Sequence, residues 1–478
     1  MTASHSGAEA RRAPVSVLVL LVGTFMAVLD FFIVNIAIPG MQRGLRASDA
    51  EIELVVAGYA VAYGSALIIG GRLGDLFGRK RVFLLGVGLF TASSAICGFA
   101  PNAEILIVGR LAQGLAAALL SPQVLAIFSA ELDAAAKKQA LVAYGFVMGI
   151  ASVFAQVFGG LLIGLNPLGA GWRVCFLINV PIGLIAMALT ARMTPESRAP
   201  TTSQLDVFGM LLILAALAAL TLPLIEGQQH SWPEWDFILL AGSVLLFLAF
   251  SGWEMRSKRR GAVPLVDFEL FHERSFTVGL LAQLVFYMSM AGFYLVLAIY
   301  LQLGRGLTPL QAGLIFIANG AGYLCTSSQV GWIAKHLDQQ IIALAGLIRA
   351  IGLGVLLFTI VKIRNEGSSL WLVPGLFLNG AGTGLAVSPL ASTVLSRIGG
   401  SHAGAASGVL TTGLQVGNAI GVALIGVIFY ATLRQAPSNY AHAFGSALIY
   451  LVALSVGLMG LVQLLPSRGS EQPPRSPA

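Results

Sequence analysis

The sequence predicts an all-α integral membrane protein whose chain crosses the bilayer fourteen times. Three observations carry that expectation. Charged residues make up only 10% of the chain and hydrophobic ones 57%, whereas soluble proteins carry about 25% charged residues. The apolar residues come in runs of about twenty, the length a helix needs to cross the hydrocarbon core. The polar breaks between runs are short and leave no room for a sizeable soluble domain.

In order, the spans are expected at 15–38, 52–71, 82–100, 104–128, 141–165, 173–193, 206–226, 236–254, 276–301, 310–333, 341–361, 371–395, 403–430 and 441–465. The first run, Val15 to Ile38, is broken only by Asp30, Asn35 and a few small polar residues. It is longer than a signal-peptide core and no small-residue cleavage pattern follows it, so it reads as a retained helix behind a polar tail, Met1 to Pro14. Span 2 runs into a turn rich in glycine and arginine. Span 4 carries Arg110, and span 5 ends in Gly159-Gly160. Trp172 and Arg173 open span 6 and suit an interfacial anchor. Asp206 suits the N-terminus of span 7. Spans 9–14 hold scattered amides and hydroxyls but no Asp or Glu deep inside them.

An even number of spans puts both termini on one side, and Lys and Arg decide which. The densest clusters are Arg72, Arg79, Lys80 and Arg81, then Arg256, Lys258, Arg259, Arg260 and Arg274; all share the side of the termini, which makes that side cytoplasmic. The net charge of +7 therefore orients the chain in a cell membrane and does not indicate a nucleic-acid surface. Cys97, Cys175 and Cys325 lie in apolar stretches without metal-ligand spacing and read as small packing residues.

Two internal echoes divide the chain. Gln113-Gly114 precedes Ser121-Pro122 in span 4, and Asn379-Gly380 precedes Ser388-Pro389 in span 12. The loop Gly71 to Arg81 follows span 2, and the shorter loop Gly331 to Gln340 follows span 10. These place a cytoplasmic tail at 1–14, a six-helix bundle at 15–193, a linker region with two extra helices at 194–275, a second six-helix bundle at 276–465 and a cytoplasmic tail at 466–478. Repeated halves with a site at their interface are the architecture of secondary transporters.

Asp30 is the residue that most demands an explanation. A charged carboxylate near the bilayer centre costs about 2.5–3.5 kcal/mol on insertion scales, so it needs a water-filled cavity, a partner or a proton. Two roles stay open: proton or substrate coupling, or a fixed ion pair with Arg110 of span 4. Asp30 and Asn35 lie about 140° apart on a helix of 3.6 residues per turn, so Asn35 is expected to contact a neighbouring helix. Gln156 faces either a cavity or another helix.

The stretch Leu29-Asp30-Phe31-Phe32-Ile33-Val34-Asn35-Ile36-Ala37-Ile38-Pro39 resembles the first-helix signature of the fourteen-span drug:proton antiporter family of the major facilitator superfamily. Gly71-Arg72-Leu73-Gly74-Asp75-Leu76-Phe77-Gly78-Arg79-Lys80-Arg81 resembles the superfamily's inner-loop motif, thought there to latch the cytoplasmic side in the outward-open state. Arg110-Leu111-Ala112-Gln113-Gly114 is similar to the family's Arg-x-x-Gln-Gly motif, linked there to proton transfer, and Trp172 to Gly183 again resembles that family. Span 5 departs from the pattern: Ala155-Gln156 stands where antiporters carry Gly-Pro, which restores a backbone donor and reduces the expected kink.

The resemblance implies proton-coupled efflux of small lipophilic or monocationic compounds by alternating access. It assigns proton coupling to Asp30 and Arg110, and the conformational motif to Gly71, Asp75, Gly78, Arg79 and Lys80. Substrate-binding candidates are Phe31, Asn35, Gln113, Gln156, Gln283, Tyr287, Asn319 and Gln415. No catalytic residue, metal site or cofactor is expected; the partners are a small-molecule substrate, protons and the lipid bilayer, not nucleic acid, with the monomer as functional unit. The rivals are a facilitator or importer on the same fold and a lipid or lysolipid exporter. A membrane-embedded enzyme is disfavoured, because the six histidines form no cluster with a nucleophile or metal spacing.

Overall fold

The computed structural model describes residues 3–198, 206–227, 232–261, 264–266, 268–395 and 403–465. Thirteen helices are long and apolar enough to cross a membrane by length and composition. In chain order the long helices are α1 (Ala3–Leu45), α2 (Asp49–Phe77), α3 (Arg79–Gly98), α4 (Ala103–Glu131), α5 (Ala134–Leu165), α6 (Asn179–Met193), α7 (Val207–Glu226) and α8 (Glu234–Arg259). They continue with α9 (Arg274–Ile299), α10 (Pro309–Ser327), α11 (Gln340–Ile363), α12 (Val373–Leu395), α13 (Ala403–Gln435) and α14 (Tyr440–Gln463). Helix α10, of 19 residues, corresponds to the expected tenth span and falls outside the thirteen.

Several ends differ from expectation. The polar stretch before the first span is helical from Ala3, in one piece with α1. Helix α2 runs on through the inner-loop motif to Phe77. The loop expected from Gly331 to Gln340 is largely a short helix, Val330–Leu337, with Trp332 exposed on it. There α10 stops at Ser327-Ser328-Gln329, and the Gln329 amide turns back to the Cys325 carbonyl. The tail from 466 onward lies outside the described residues.

Packing repeats between the two halves. Helix α1 packs on α5 and α6, α2 and α3 pack on α4, and α3 packs on α6. In the second half, α9 packs on α13 and α14, α10 and α11 on α12, and α11 on α14. The echo motifs take equivalent places: Gly114 lets α4 approach the Tyr59 backbone of α2, and Gly380 lets α12 approach the Asn319 backbone of α10. The halves meet where α5 lies on α10 and α2 on α13. Helices α7 and α8 pair with each other, and α7 rests on both α2 and α13. Ile238 and Leu245 of α8 are exposed, as suits a peripheral helix facing lipid.

Several close approaches between halves lie toward the end of the molecule that holds Leu45. Gln302 Nε2, in the π-helical turn that ends α9, donates to the Ile36 carbonyl at 3.0 Å. A Cβ on Gly160 would stand 2.5 Å from the Pro309 oxygen, and one on Gly313 would stand 2.7 Å from the Gln156 oxygen. Only glycines permit α5 and α10 to touch so closely.

Candidate functional site

Asp30 and Arg110 are both fully excluded from solvent and form a direct ion pair through Arg110 Nη1. Asp30 Oδ1 also accepts from Asn179 Nδ2 at 2.7 Å and from Gln113 Nε2 at 3.2 Å. Gln113 Oε1 accepts from Arg110 Nη1 at 2.9 Å, and its Nε2 donates to Ser94 Oγ at 2.7 Å. Arg110 Nε donates to the Val55 carbonyl at 2.9 Å, and the guanidinium lies 4.4 Å from the centre of the Tyr59 ring. Tyr59 in turn donates to the Ala27 carbonyl at 3.0 Å, one turn before Asp30. Five helices thus converge on one carboxylate inside the first half. Burying a charge is tolerated only with partners of this kind.

Next to it lies an aromatic floor that spans both halves. Phe31 packs edge-on to Phe32 and against Tyr59. Phe32 meets Tyr294 of α9 with ring centres 5.3 Å apart, and Tyr294 stacks on Phe316 of α10 at 5.9 Å. Asn319 Nδ2 donates to the Tyr294 hydroxyl at 3.0 Å and its Oδ1 accepts from Asn379 at 2.9 Å. Tyr144 of α5 lies within electrostatic reach of Tyr63 of α2 and Tyr287 of α9, and Tyr287 within reach of Tyr323 of α10. Tyr144 and Tyr287 are half-buried.

The sequence-predicted residues fall into separate groups. Asp30, Arg110 and Gln113 meet in the carboxylate network. Asn35 and Gln156 both donate to the Phe32 carbonyl, at 3.1 and 2.7 Å. Asn35 therefore bonds within its own helix and not to a neighbour: it sits one turn beyond Phe32, close enough to reach back to that carbonyl. Gln156, standing where the related pattern has proline, ties α5 to α1. Gln283 Nε2 donates to the Leu410 carbonyl at 2.7 Å and joins α9 to α13. Gln415 packs against Gly64 of α2 and accepts from Asn418 at 3.3 Å. Tyr287 belongs to the tyrosine group, and Asn319 underlies the aromatic floor.

The inner-loop motif builds a clasp within the first half. Gly78 takes a φ of +106° between α2 and α3, a value that disfavours side chains. Arg79 holds Asp75 Oδ1 at 3.0 Å and reaches the Ala126 carbonyl of α4 at 3.3 Å. Lys80 Nζ donates to the Ala191 carbonyl of α6 at 2.8 Å, and Gly71 faces Pro122. Trp172, expected at the interface, is buried against Gly40 and Gly44 of α1, with the Arg173 guanidinium 4.3 Å from its ring centre. Two glycines on α1 leave a slot that an indole fills, and the arginine covers it.

Sequence reasoning missed Asn179 and Ser94 as partners of the carboxylate, and the tyrosines Tyr63, Tyr144 and Tyr323. Asn179 stands two residues before Pro181, and that local sequence gives no sign of a partner in α1.

Residues 20–422 and, overlapping, 279–476 match the sequence profile of the Major Facilitator Superfamily. The chain belongs to this superfamily. It is a multi-pass membrane transporter and not an enzyme, and the resemblance to its drug-efflux members holds across the chain. The probable actinorhodin transporter of Streptomyces coelicolor is 34% identical over 87% of this chain and 72% of its own length. Multidrug resistance protein Stp of Mycobacterium tuberculosis is 32% identical over 86% and 75%. The cephamycin export protein CmcT of Amycolatopsis lactamdurans is 30% identical over 99% of this superfamily member and 97% of its own length. Among solved structures, an auto-inhibited peptide transporter of the POT family superposes with a TM-score of 0.67 at 15% identity, covering 97% of this chain and 99% of that one; it supports the fold alone.

Proposed function

We propose that this transporter exports small lipophilic, aromatic-bearing molecules across the cell membrane in exchange for protons, working as a monomer by alternating access. The observation that carries the reading is Asp30, excluded from solvent and held by Arg110, Asn179 and Gln113, two residues before Phe32, which reaches the second half. Protonating Asp30 removes the charge that Arg110 neutralises. Arg110 is then held by Gln113 and the Val55 carbonyl alone, α1 and α4 shift, and Phe32 moves against Tyr294. Substrate in the space beside the aromatic floor and a proton on Asp30 thus favour opposite openings, the differential binding that coupling requires. Each proton re-entering down 100 mV supplies about 2.3 kcal/mol.

The basic clusters near Gly78 and after α8 support cytoplasmic termini, with the Leu45 end outside. In this reading the structure is closed to the outside. Asp30 is already paired with an arginine, so the tyrosines and phenylalanines favour neutral or weakly polar aromatic cargo over monocations. The relatives named as a probable actinorhodin transporter and a cephamycin export protein support the export of small molecules.

The test is Asp30→Asn in an efflux-deficient host. The variant is expected to insert and fold but to lose uphill export, measured as dye or drug accumulation in energised cells. Normal pumping by Asp30→Asn removes Asp30 from the mechanism.

A further inference from the structure

Three acids open α2, and each has a different environment. Glu51 completes a capping box: its Oε2 accepts from the Ser48 backbone at 2.7 Å and hydroxyl at 2.8 Å. Asp49 accepts from Gln42 Nε2 of α1 at 2.8 Å. Glu53, one turn further in, is buried, and its Oε2 has no hydrogen-bond partner among the described residues. Its carboxyl lies against Gly426 of α13, where no Cβ could fit beside it. The Tyr430 hydroxyl, one turn further along α13, is buried and likewise without a hydrogen-bond partner. The carboxyl therefore sits inside the α2–α13 contact, one of the two seams along which the halves meet.

Such a group is stable there only without its charge. A carboxylate removed from water with no donor costs several kcal/mol and takes a proton instead. When the seam parts, water reaches the carboxyl and the charged form becomes tolerable. The charged groups that act on Glu53 are Asp49 on its own helix and Arg434 on the last turn of α13. Tyr430 and, through it, Tyr440 of α14 complete the surroundings, and Glu226 ends α7, which packs on both helices of the seam.

We propose that Glu53 is a second proton-binding site, which takes up a proton from the Leu45 side as the α2–α13 seam closes and releases it as the seam opens. The sign follows: acid favours the closed seam, and raising the pH opens it. The proposal rests on proton-driven exchange for its purpose but not for its test. In an exporter whose Leu45 end faces outside, acid there would help to shut that side.

The experiment places spin labels at the exposed positions Arg43 and Gln435 in a Cys325→Ser background, in which the remaining cysteines are buried. Their separation is measured across an acid-to-alkaline series in the purified full chain. With Glu53 intact the distance is expected to lengthen as pH rises. Glu53→Gln is expected to lose that lengthening and stay short throughout, and Glu53→Asp to keep it, which rules out a merely structural effect. A Glu53→Gln variant that follows the parent's pH profile, or a parent whose distance never changes, overturns the proposal. Loss of the response in Asp30→Asn with Glu53 present also overturns it, by assigning the titration to Asp30. An Asp30→Asn variant that still pumps would instead remove Asp30 from the transport mechanism and leave the Glu53 result standing.

Discussion

Asp30 and Arg110 share a dry pocket, so each is the reason the other can be there. Removing one member of such a pair leaves an uncompensated charge, at about 3–5 kcal/mol. Arg110→Ala is expected to lower the melting temperature in detergent more than Asp30→Asn does, because an asparagine keeps neutral contacts with Asn179 and Gln113. Combining the two substitutions should recover part of the loss; strictly additive losses would show that the pair is not energetically coupled. The pairing was foreseeable, since two charges in adjoining spans have few other options. Asn179 was not, because it lies 149 residues from Asp30 and nothing in its local sequence points to a carboxylate.

At the scale of elements, the α5–α10 seam depends on backbone approach. Gly160→Val is expected to overpack it by about 1–3 kcal/mol and push molecules out of the closed arrangement, seen as a longer α5–α10 label distance. Gly242→Val on α8, where a Cβ would meet nothing, should leave that distance unchanged. Gly78→Ala strains a backbone at φ +106° and crowds the Glu196 carboxylate, and about 1–3 kcal/mol of destabilisation is expected in thermal melts. The helices themselves were legible from run length. The short helix Val330–Leu337 was not, because eight residues just past the end of an apolar run read as a loop when no neighbour is known. The π-helical turn at Tyr300–Gly304 was equally silent, since it arises where α9 meets α14 and α10.

For the whole molecule, the exchange reading predicts that a protonophore makes cells expressing the transporter fill with substrate, while a facilitator's steady state stays the same. Tyr144→Ala and Tyr287→Ala are expected to change which compounds are pumped, read as altered relative resistance across a panel, without moving the pH dependence of transport. An unchanged panel would take the tyrosines out of the substrate path.

By itself the sequence determined that this chain is a bundle of membrane helices. Hydrocarbon demands about twenty apolar residues per crossing and a backbone that satisfies its own hydrogen bonds, and both demands are written in local composition. Tertiary structure alone decided which polar side chains meet. The rotation of each helix about its axis follows from packing against neighbours, and run length says nothing of it. That is why Asn179 reaches Asp30, Gln156 turns to the Phe32 carbonyl, and Glu53 ends in the seam between the halves.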